Sequence, residues 1–99
     1  MLEKQVERKL VDGVRKLGGV AVKFVSPASN GWPDRLLLLP GGRMWFIELK
    51  SDTGRLSVLQ AARIRVLQQL GFDARVLKGA EQVKQFLQDI DNRIRPEDF

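Results

Sequence analysis

Apolar side chains recur along the first seventeen residues with the spacing of an amphipathic helix. Leu2, Val6, Leu10, Val14 and Leu17 fall on one face when the chain is wound at 3.6 residues per turn. Gly18 and Gly19 then end the pattern, as glycine often does just past a helix C-terminus. The sequence therefore predicts a helix over residues 2–17.

Three strand-like segments follow this helix, and turn-forming residues separate them. The segments are Val20–Val25, Asp34–Leu39 and Arg43–Lys50. Pro40-Gly41-Gly42 between the last two is a short turn, which predicts an antiparallel hairpin. Because both arms of this hairpin are apolar on both faces, we expect central strands covered on both sides.

The second half of the chain alternates between helix and strand signals. Ser57 has the character of an N-cap, and a helix is predicted from there to Leu70. Phe72–Leu77 follows as a strand, Glu81–Ile90 as a helix, and the charged residues 91–99 are expected to fray. A strand–helix–strand connection implies a parallel, right-handed crossover. The predicted fold is therefore one α/β domain over residues 1–99, ordered αβββαβα, with a mixed four-stranded sheet flanked by helices.

Composition narrows the chemistry that this domain can perform. The 99 residues include neither cysteine nor histidine, which excludes disulfides, thiolate sites and histidine bases. Any bound metal must then be a hard, oxygen-liganded cation such as Mg²⁺ or Mn²⁺. The net charge of +5, with ten arginines among seventeen basic residues, favours a polyanionic partner such as nucleic acid. A cytoplasmic location, or the host cytoplasm for a viral protein, is the expectation.

Two carboxylates and a lysine are expected to converge at one end of the hairpin. Asp34 begins one arm, and Glu48 lies near the end of the other. Glu48 and Lys50 are two residues apart in a strand, so they share a face about 6.6 Å apart. Such a set can hold a divalent cation and activate water beside a phosphodiester. The alternative is a simple ion pair between Glu48 and Lys50 on an exposed strand.

Several short motifs, in order, resemble the VRR-NUC group of the PD-(D/E)xK nuclease superfamily. The resemblance spans nearly the whole chain and is closest to short stand-alone viral and bacterial members. The motifs are Gly31-Trp32-Pro33-Asp34-Arg35, Pro40-Gly41-Gly42, Phe46-Ile47-Glu48-Leu49-Lys50, Leu56-Ser57-x-x-Gln60 and Gly71-Phe72. The predicted topology agrees with the core of that restriction-endonuclease-like superfamily.

The resemblance implies roles for individual residues. Asp34, Glu48 and the backbone carbonyl of Leu49 would bind Mg²⁺ or Mn²⁺, and Lys50 would be the catalytic lysine. Gln60 would point into the site, although completing a capping box with Ser57 is its structural alternative. The family also places a first-helix glutamate near the metal, for which Glu7 is preferred over Glu3; a solvated helix face is the alternative for both.

The resemblance also implies a function. The leading hypothesis is a metal-dependent DNA endonuclease that acts on branched DNA such as Holliday junctions, as a homodimer. The alternatives are a less selective flap or nicking nuclease and a catalytically idle DNA-binding module of a phage or replication complex. Lys23, Ser26, Arg35 and Arg55 are candidate contacts to DNA, whereas Arg63 and Arg65 are interpreted as a solvated helix face.

Overall fold

The computed structural model describes residues 2–27 and 29–94, in which seven elements follow the predicted order αβββαβα. The elements are α1 Glu3–Lys16, β1 Val20–Lys23, β2 Arg35–Leu39, β3 Arg43–Lys50, α2 Val58–Gln69, β4 Ala74–Lys78 and α3 Gly79–Asp91. The strands form one sheet in the order β1-β2-β3-β4. The first two pairings are antiparallel and the third is parallel, so the predicted mixed sheet and crossover are confirmed.

The main core lies between one face of the sheet and helices α1 and α3. The sheet contributes alternate residues of β2 and β3, and the helices contribute their apolar stripes. The fully buried members include Val6, Leu10 and Val14 of α1, Leu37 and Ile47 of the sheet, and Val83, Phe86 and Ile90 of α3. The ring of Trp45 meets that of Phe86 edge-on at 5.6 Å. Both long helices are therefore fixed to the same side of β2 and β3.

Helix α2 covers only part of the opposite face. Its buried residues Ile64 and Leu67 pack against Ala74, with Phe46 and Val76 at the margin of this smaller cluster. On β1 and β2 the same face remains open, and Val20 and Leu38 are about half exposed. The expected cover of the hairpin on both sides is thus more nearly complete for β3, where Glu48 is buried, than for β2, where Leu38 is exposed.

Element boundaries differ from the prediction where backbone hydrogen bonds end a segment. Strand β1 stops at Lys23 instead of Val25, and the Phe24 N–H makes a further bond, to the Asp34 carbonyl. Phe72 donates to the Leu67 carbonyl and so completes the C-terminus of α2, which delays β4 to Ala74. Helix α3 begins at Gly79, directly after β4, instead of Glu81.

The prediction that the chain frays from residue 91 is wrong for residues 91–94. Asp91 belongs to α3, the Ile94 N–H donates to the Ile90 carbonyl, and the Ile94 side chain packs against the main core. Residues 95–99 lie outside the described part of the chain. None of the helices described is long and apolar enough to cross a membrane.

Truncating a core valine should destabilise the domain far more than the same truncation at the surface. Val14 of α1 is fully buried, whereas Val58 at the start of α2 is 89% exposed. We expect Val14→Ala to lower the free energy of unfolding by about 2 kcal/mol, from two lost buried methyl groups and the cavity. Val58→Ala should change it by less than about 0.5 kcal/mol. Urea unfolding at one protein concentration measures both; equal losses would contradict this assignment of the core.

Candidate active site

The register of the β2–β3 hairpin brings Asp34 opposite Glu48. Arg35 pairs with Ile47 and Leu36 with Phe46, so one further step along the ladder sets Asp34 against Glu48. Cross-strand partners in an antiparallel pair project to the same face. That face is the one covered by α2. The predicted convergence of these two carboxylates is what the hairpin geometry produces.

Lys50 completes the group on the same face of β3. Its Nζ lies 3.7 Å from Glu48 Oε2, and the side chains of Lys50 and Glu48 are 18% and 7% exposed. Since both groups are largely withdrawn from water, this pair differs from the exposed strand ion pair considered as an alternative. The Lys50 ammonium therefore lies beside the Glu48 carboxylate.

Gln60 completes the capping box with Ser57 and also points toward Glu48. Its backbone N–H donates to Ser57 Oγ, and its Oε1 accepts from the Ser57 N–H, both at 3.0 Å, which is a full capping box. Its Nε2 then points to Glu48 Oε2 at 3.5 Å. The cap therefore directs the amide donor of Gln60 toward the buried carboxylate.

Burial raises the pKa of Glu48 from its ordinary value of 4.5 to about 7. The main cause is desolvation, followed by the negative charge of Asp34; Lys50 opposes both, and Glu3 adds a smaller repulsion. Two neighbouring carboxylates in a partly buried site repel each other unless a cation binds between them or one of them is protonated. The raised pKa thus shows that the charged form of Glu48 is disfavoured mainly by its burial, with repulsion from Asp34 adding to the effect.

The two glutamates of α1 have different surroundings. Glu3 contributes to the raised pKa of Glu48, so its charge is felt at the site. The preferred candidate, Glu7, instead accepts a hydrogen bond from Arg35 through its Oε1. The guanidinium of Arg35 is buried on the α1 side of the sheet, because Arg35 alternates with the core residues Leu37 and Leu39. The proposed DNA contact of Arg35 therefore needs correction: its side chain is engaged inside the fold.

The donors at the site suit a hard divalent cation. Asp34 and Glu48 offer carboxylate oxygens, and Leu49 lies between Glu48 and Lys50 on the same strand. Mg²⁺ commonly takes one or two carboxylates and fills its remaining positions with water and phosphate oxygens. Within residues 2–27 and 29–94 no group of three acidic side chains is gathered closely enough to form a metal cage by itself. The arrangement is that of an open, two-carboxylate site.

The other candidate DNA contacts lie on accessible parts of the structure. Lys23 is exposed at the end of the edge strand β1, Ser26 is half-exposed in the loop that follows, and Arg55 is exposed before α2. The residue that sequence reasoning missed is Arg63, which is turned toward the loop before Asp34 instead of toward solvent. Arg63 follows Gln60 by three residues, so the two lie on neighbouring positions of the predicted helix, and this spacing was the signal in the sequence.

Comparison with known proteins places this chain among nucleases. The family model of the VRR-NUC domain matches residues 4–81. A curated relative, "Putative nuclease p44" of Acyrthosiphon pisum secondary endosymbiont phage 1, is 53% identical over 49 residues. This match covers 50% of the present chain and 53% of the phage protein, so it spans about half the length of that relative.

Solved structures agree with this placement. A structure described as a VRR-NUC domain superposes with a TM-score of 0.82 at 25% identity, covering 87% of this chain and 94% of that one. A second VRR-NUC domain protein gives 0.67 at 22% identity, over 90% and 87% of the two chains. Archaeoglobus fulgidus Hjc, a Holliday junction resolvase, gives 0.54 at 21% identity, over 77% and 67%. The last two likenesses concern the fold alone.

The raised pKa of Glu48 predicts a pH-dependent stability cost. An acid whose pKa is higher in the folded than in the unfolded chain makes folding less favourable as pH rises between those two values, here 4.5 and about 7. We expect the uncharged Glu48→Gln to be more stable than wild type at pH 8, by on the order of 1–3 kcal/mol, and this advantage to fade by about pH 5. Urea unfolding in a chelator measures the difference.

A matched substitution at an exposed position of α3, Glu81→Gln, is the control for the general effect of removing a negative charge. A Glu48→Gln variant that is less stable than wild type at pH 8 would contradict the assignment of an unfavourable charge at this position.

Proposed function

Since this chain belongs to the VRR-NUC nuclease family, we propose that it is a Mg²⁺- or Mn²⁺-dependent endonuclease that hydrolyses DNA phosphodiester bonds. The observation that carries the proposal is the β2–β3 register, which sets Asp34 against Glu48 with Lys50 Nζ 3.7 Å from the Glu48 carboxylate. A chain without histidine has few other routes to a strong nucleophile at neutral pH. The donor set fits the cation that this family generally uses.

Each residue of the group has a distinct proposed role. Asp34 and Glu48 bind the cation, together with the backbone carbonyl of Leu49. The bound cation supplies the acidity that activates water and offsets charge on the phosphate. Lys50 orients the attacking water or stabilises the negative charge that develops on the phosphate oxygens. Gln60 holds the Glu48 carboxylate in place through its Nε2 donor.

A glutamate of α1 is proposed as a further acidic member of the site. The resemblance favours Glu7 on spacing, while the pKa of Glu48 responds to Glu3. The Glu7–Arg35 pair gives Glu7 a separate role, in fixing α1 against the first residue of β2. We therefore propose that Glu3 adds a further negative charge to the site, beyond those of Asp34 and Glu48, and that Glu7 acts through Arg35.

Branched DNA is the proposed substrate. The chain shares its fold with a Holliday junction resolvase, and its net charge of +5 suits a substrate rich in phosphates. A less selective flap or nicking nuclease is the second candidate within the same chemistry. The presence of Asp34, Glu48 and Lys50 in one partly buried group favours an enzyme over an idle DNA-binding module.

Removing the Lys50 ammonium should slow DNA cleavage strongly. We expect Lys50→Met to lower the rate constant at saturating DNA by at least about 100-fold, because the transition state loses a preorganised positive charge. Lys84→Met, at an exposed position of α3, removes the same charge away from the site and should leave the rate constant within about twofold. Labelled four-way junctions, flaps and nicked duplexes with Mg²⁺ or Mn²⁺ give the rates.

Cleavage of four-way junctions above the other substrates would support the resolvase assignment. Equal rates on flaps and nicked duplexes would favour the less selective nuclease. If the wild type cleaves no branched or duplex DNA with either metal, the enzyme proposal is wrong.

We further propose that two copies pair through an open apolar face, defined as Val20, Val22 and Leu38 of the sheet with Val66, Leu70 and Phe72 at the end of α2. Phe72 contacts Phe46, whose cross-strand neighbour is Leu36, so the two parts adjoin. These six side chains are uncharged, so pairing the face with its own copy brings no like charges together, which suits a two-fold interface.

The area of the open apolar face is enough for a small interface. It presents on the order of 500 Å² per chain, so pairing would bury on the order of 1,000 Å², the lower limit for a specific protein–protein interface. Both copies would then present their Asp34–Glu48 groups about the same two-fold axis. A four-way junction has the same symmetry and needs two matched incisions.

A charge placed in the centre of this face should dissociate the pair. We expect wild type to sediment with the mass of two chains and Leu38→Glu with the mass of one, because an isologous contact would bury two equal charges. Val58→Glu, on the exposed outer side of α2, should stay paired. Sedimentation equilibrium measures mass, and circular dichroism checks that each variant is folded. A folded Leu38→Glu variant that remains paired would exclude this surface.

A further inference from the structure

Asp34 is the one proposed metal ligand that precedes its strand instead of lying in it. Strand β2 begins at Arg35, and Asp34 is exposed. Its carbonyl accepts a hydrogen bond from the Phe24 N–H at 2.8 Å, which holds its backbone beside the end of β1. The direction in which the chain enters β2 is set by residues 29–33, so the position of the Asp34 carboxylate depends on this loop.

One side chain of α2 holds this loop at three points. Arg63 Nε donates to the Asn30 carbonyl and Arg63 Nη2 donates to Ser29 Oγ, both at 3.1 Å. The guanidinium carbon also lies 4.8 Å from the centre of the Trp32 ring. A planar guanidinium can make all three contacts at once because its donors diverge while its face remains free to stack.

Gly31 lets the loop approach the helix closely enough for these contacts. Its φ of +87° is in the left-handed region that favours glycine. A Cβ at this position would lie 2.6 Å from Leu59 Cγ and 3.3 Å from Arg63 Cγ. The loop backbone therefore packs directly on α2, next to the stem of Arg63.

The same helix also reaches the other carboxylate. Gln60, one turn before Arg63, directs its Nε2 toward Glu48. Residues three apart on a helix lie on neighbouring surface positions, so α2 touches both halves of the hairpin site from one face. Its start is fixed by the Ser57–Gln60 capping box, which sets the register of both side chains.

We propose that Arg63 is a positioning residue: it clamps loop 29–33 onto α2 and thereby holds Asp34 at the distance from Glu48 that metal binding requires. The inference rests on the proposed metal-dependent function of the same site. Arg63 Nε and Nη2 are each engaged with the loop, through Asn30 and Ser29, so the role proposed for Arg63 is directed at the loop. Loosening the loop spreads Asp34 over many positions and costs metal affinity.

The test compares Arg63→Met with Arg65→Met. Both remove one arginine charge from α2, but Arg65 is exposed, and residues two apart on a helix project in different directions. We expect Arg63→Met to weaken Mn²⁺ binding without DNA about tenfold, measured by calorimetry, and to lower the rate constant at saturating DNA by a similar factor. Amides of residues 29–34 should exchange faster in Arg63→Met alone. Arg63→Lys, which retains one charged donor, should recover part of each loss.

Three results would overturn the proposal. A phosphate-contact role would weaken DNA binding and reduce its salt dependence in Arg63→Met, with the rate constant at saturating DNA and the Mn²⁺ affinity unchanged. A purely structural role would lower the melting temperature while both quantities stay at wild-type values well below the transition. Equal effects of Arg63→Met and Arg65→Met would show that the loss of one positive charge from α2, and not the loss of the loop contacts, is the cause.

The test also separates this inference from the proposed function. If wild type cleaves no DNA, the nuclease assignment is wrong, yet the Mn²⁺ affinity and the exchange of residues 29–34 still decide whether Arg63 positions Asp34. If wild type cleaves DNA and binds Mn²⁺ but Arg63→Met matches it in both measurements, the positioning role alone is wrong.

Discussion

The antiparallel pairing of β2 with β3 is the constraint on which the site depends. Its register places the residue before β2 opposite Glu48, and alternation along β3 sends Glu48 and Lys50 to the same face. A shift of one residue would turn both side chains toward the core formed with α1 and α3. The buried side chains Leu37 and Ile47 oppose such a shift, so packing on one face fixes chemistry on the other.

Helix α2 supplies the burial of Glu48 and the Gln60 donor, which the β2–β3 hairpin alone would not provide. The sheet alone would leave Glu48 in water, where two neighbouring carboxylates and a lysine would amount to a surface ion pair. The helix covers that face, raises the pKa of Glu48 to about 7 by excluding solvent, and brings Gln60 to within 3.5 Å of it. Burying this charge costs free energy, which the neighbouring Lys50 ammonium offsets in part.

Open surface has a physical origin in the size of the domain. In the described part of the chain, α1 and α3 pack on one face of the sheet, and α2 alone packs on the other, over β3 and β4. The apolar residues of β1 and β2 on that face are left exposed, which a chain of 99 residues can tolerate more readily if a second copy covers them.

The sequence by itself determined the element order, the mixed sheet, the β2–β3 hairpin and the meeting of Asp34, Glu48 and Lys50. These features depend on hydrophobic periodicity, on turn residues and on the alternation of side chains along a strand, which are local properties of the sequence. Only the tertiary structure decided the partners of Glu7, Arg35 and Arg63. These partners lie 28 or more residues away in the chain, so they come within reach only when the elements pack. Arg35 proved to be buried and Arg63 bound to a loop, although arginine side chains are mostly exposed in proteins. Spacing can place a residue on a face, but what it touches there is set by how the elements pack.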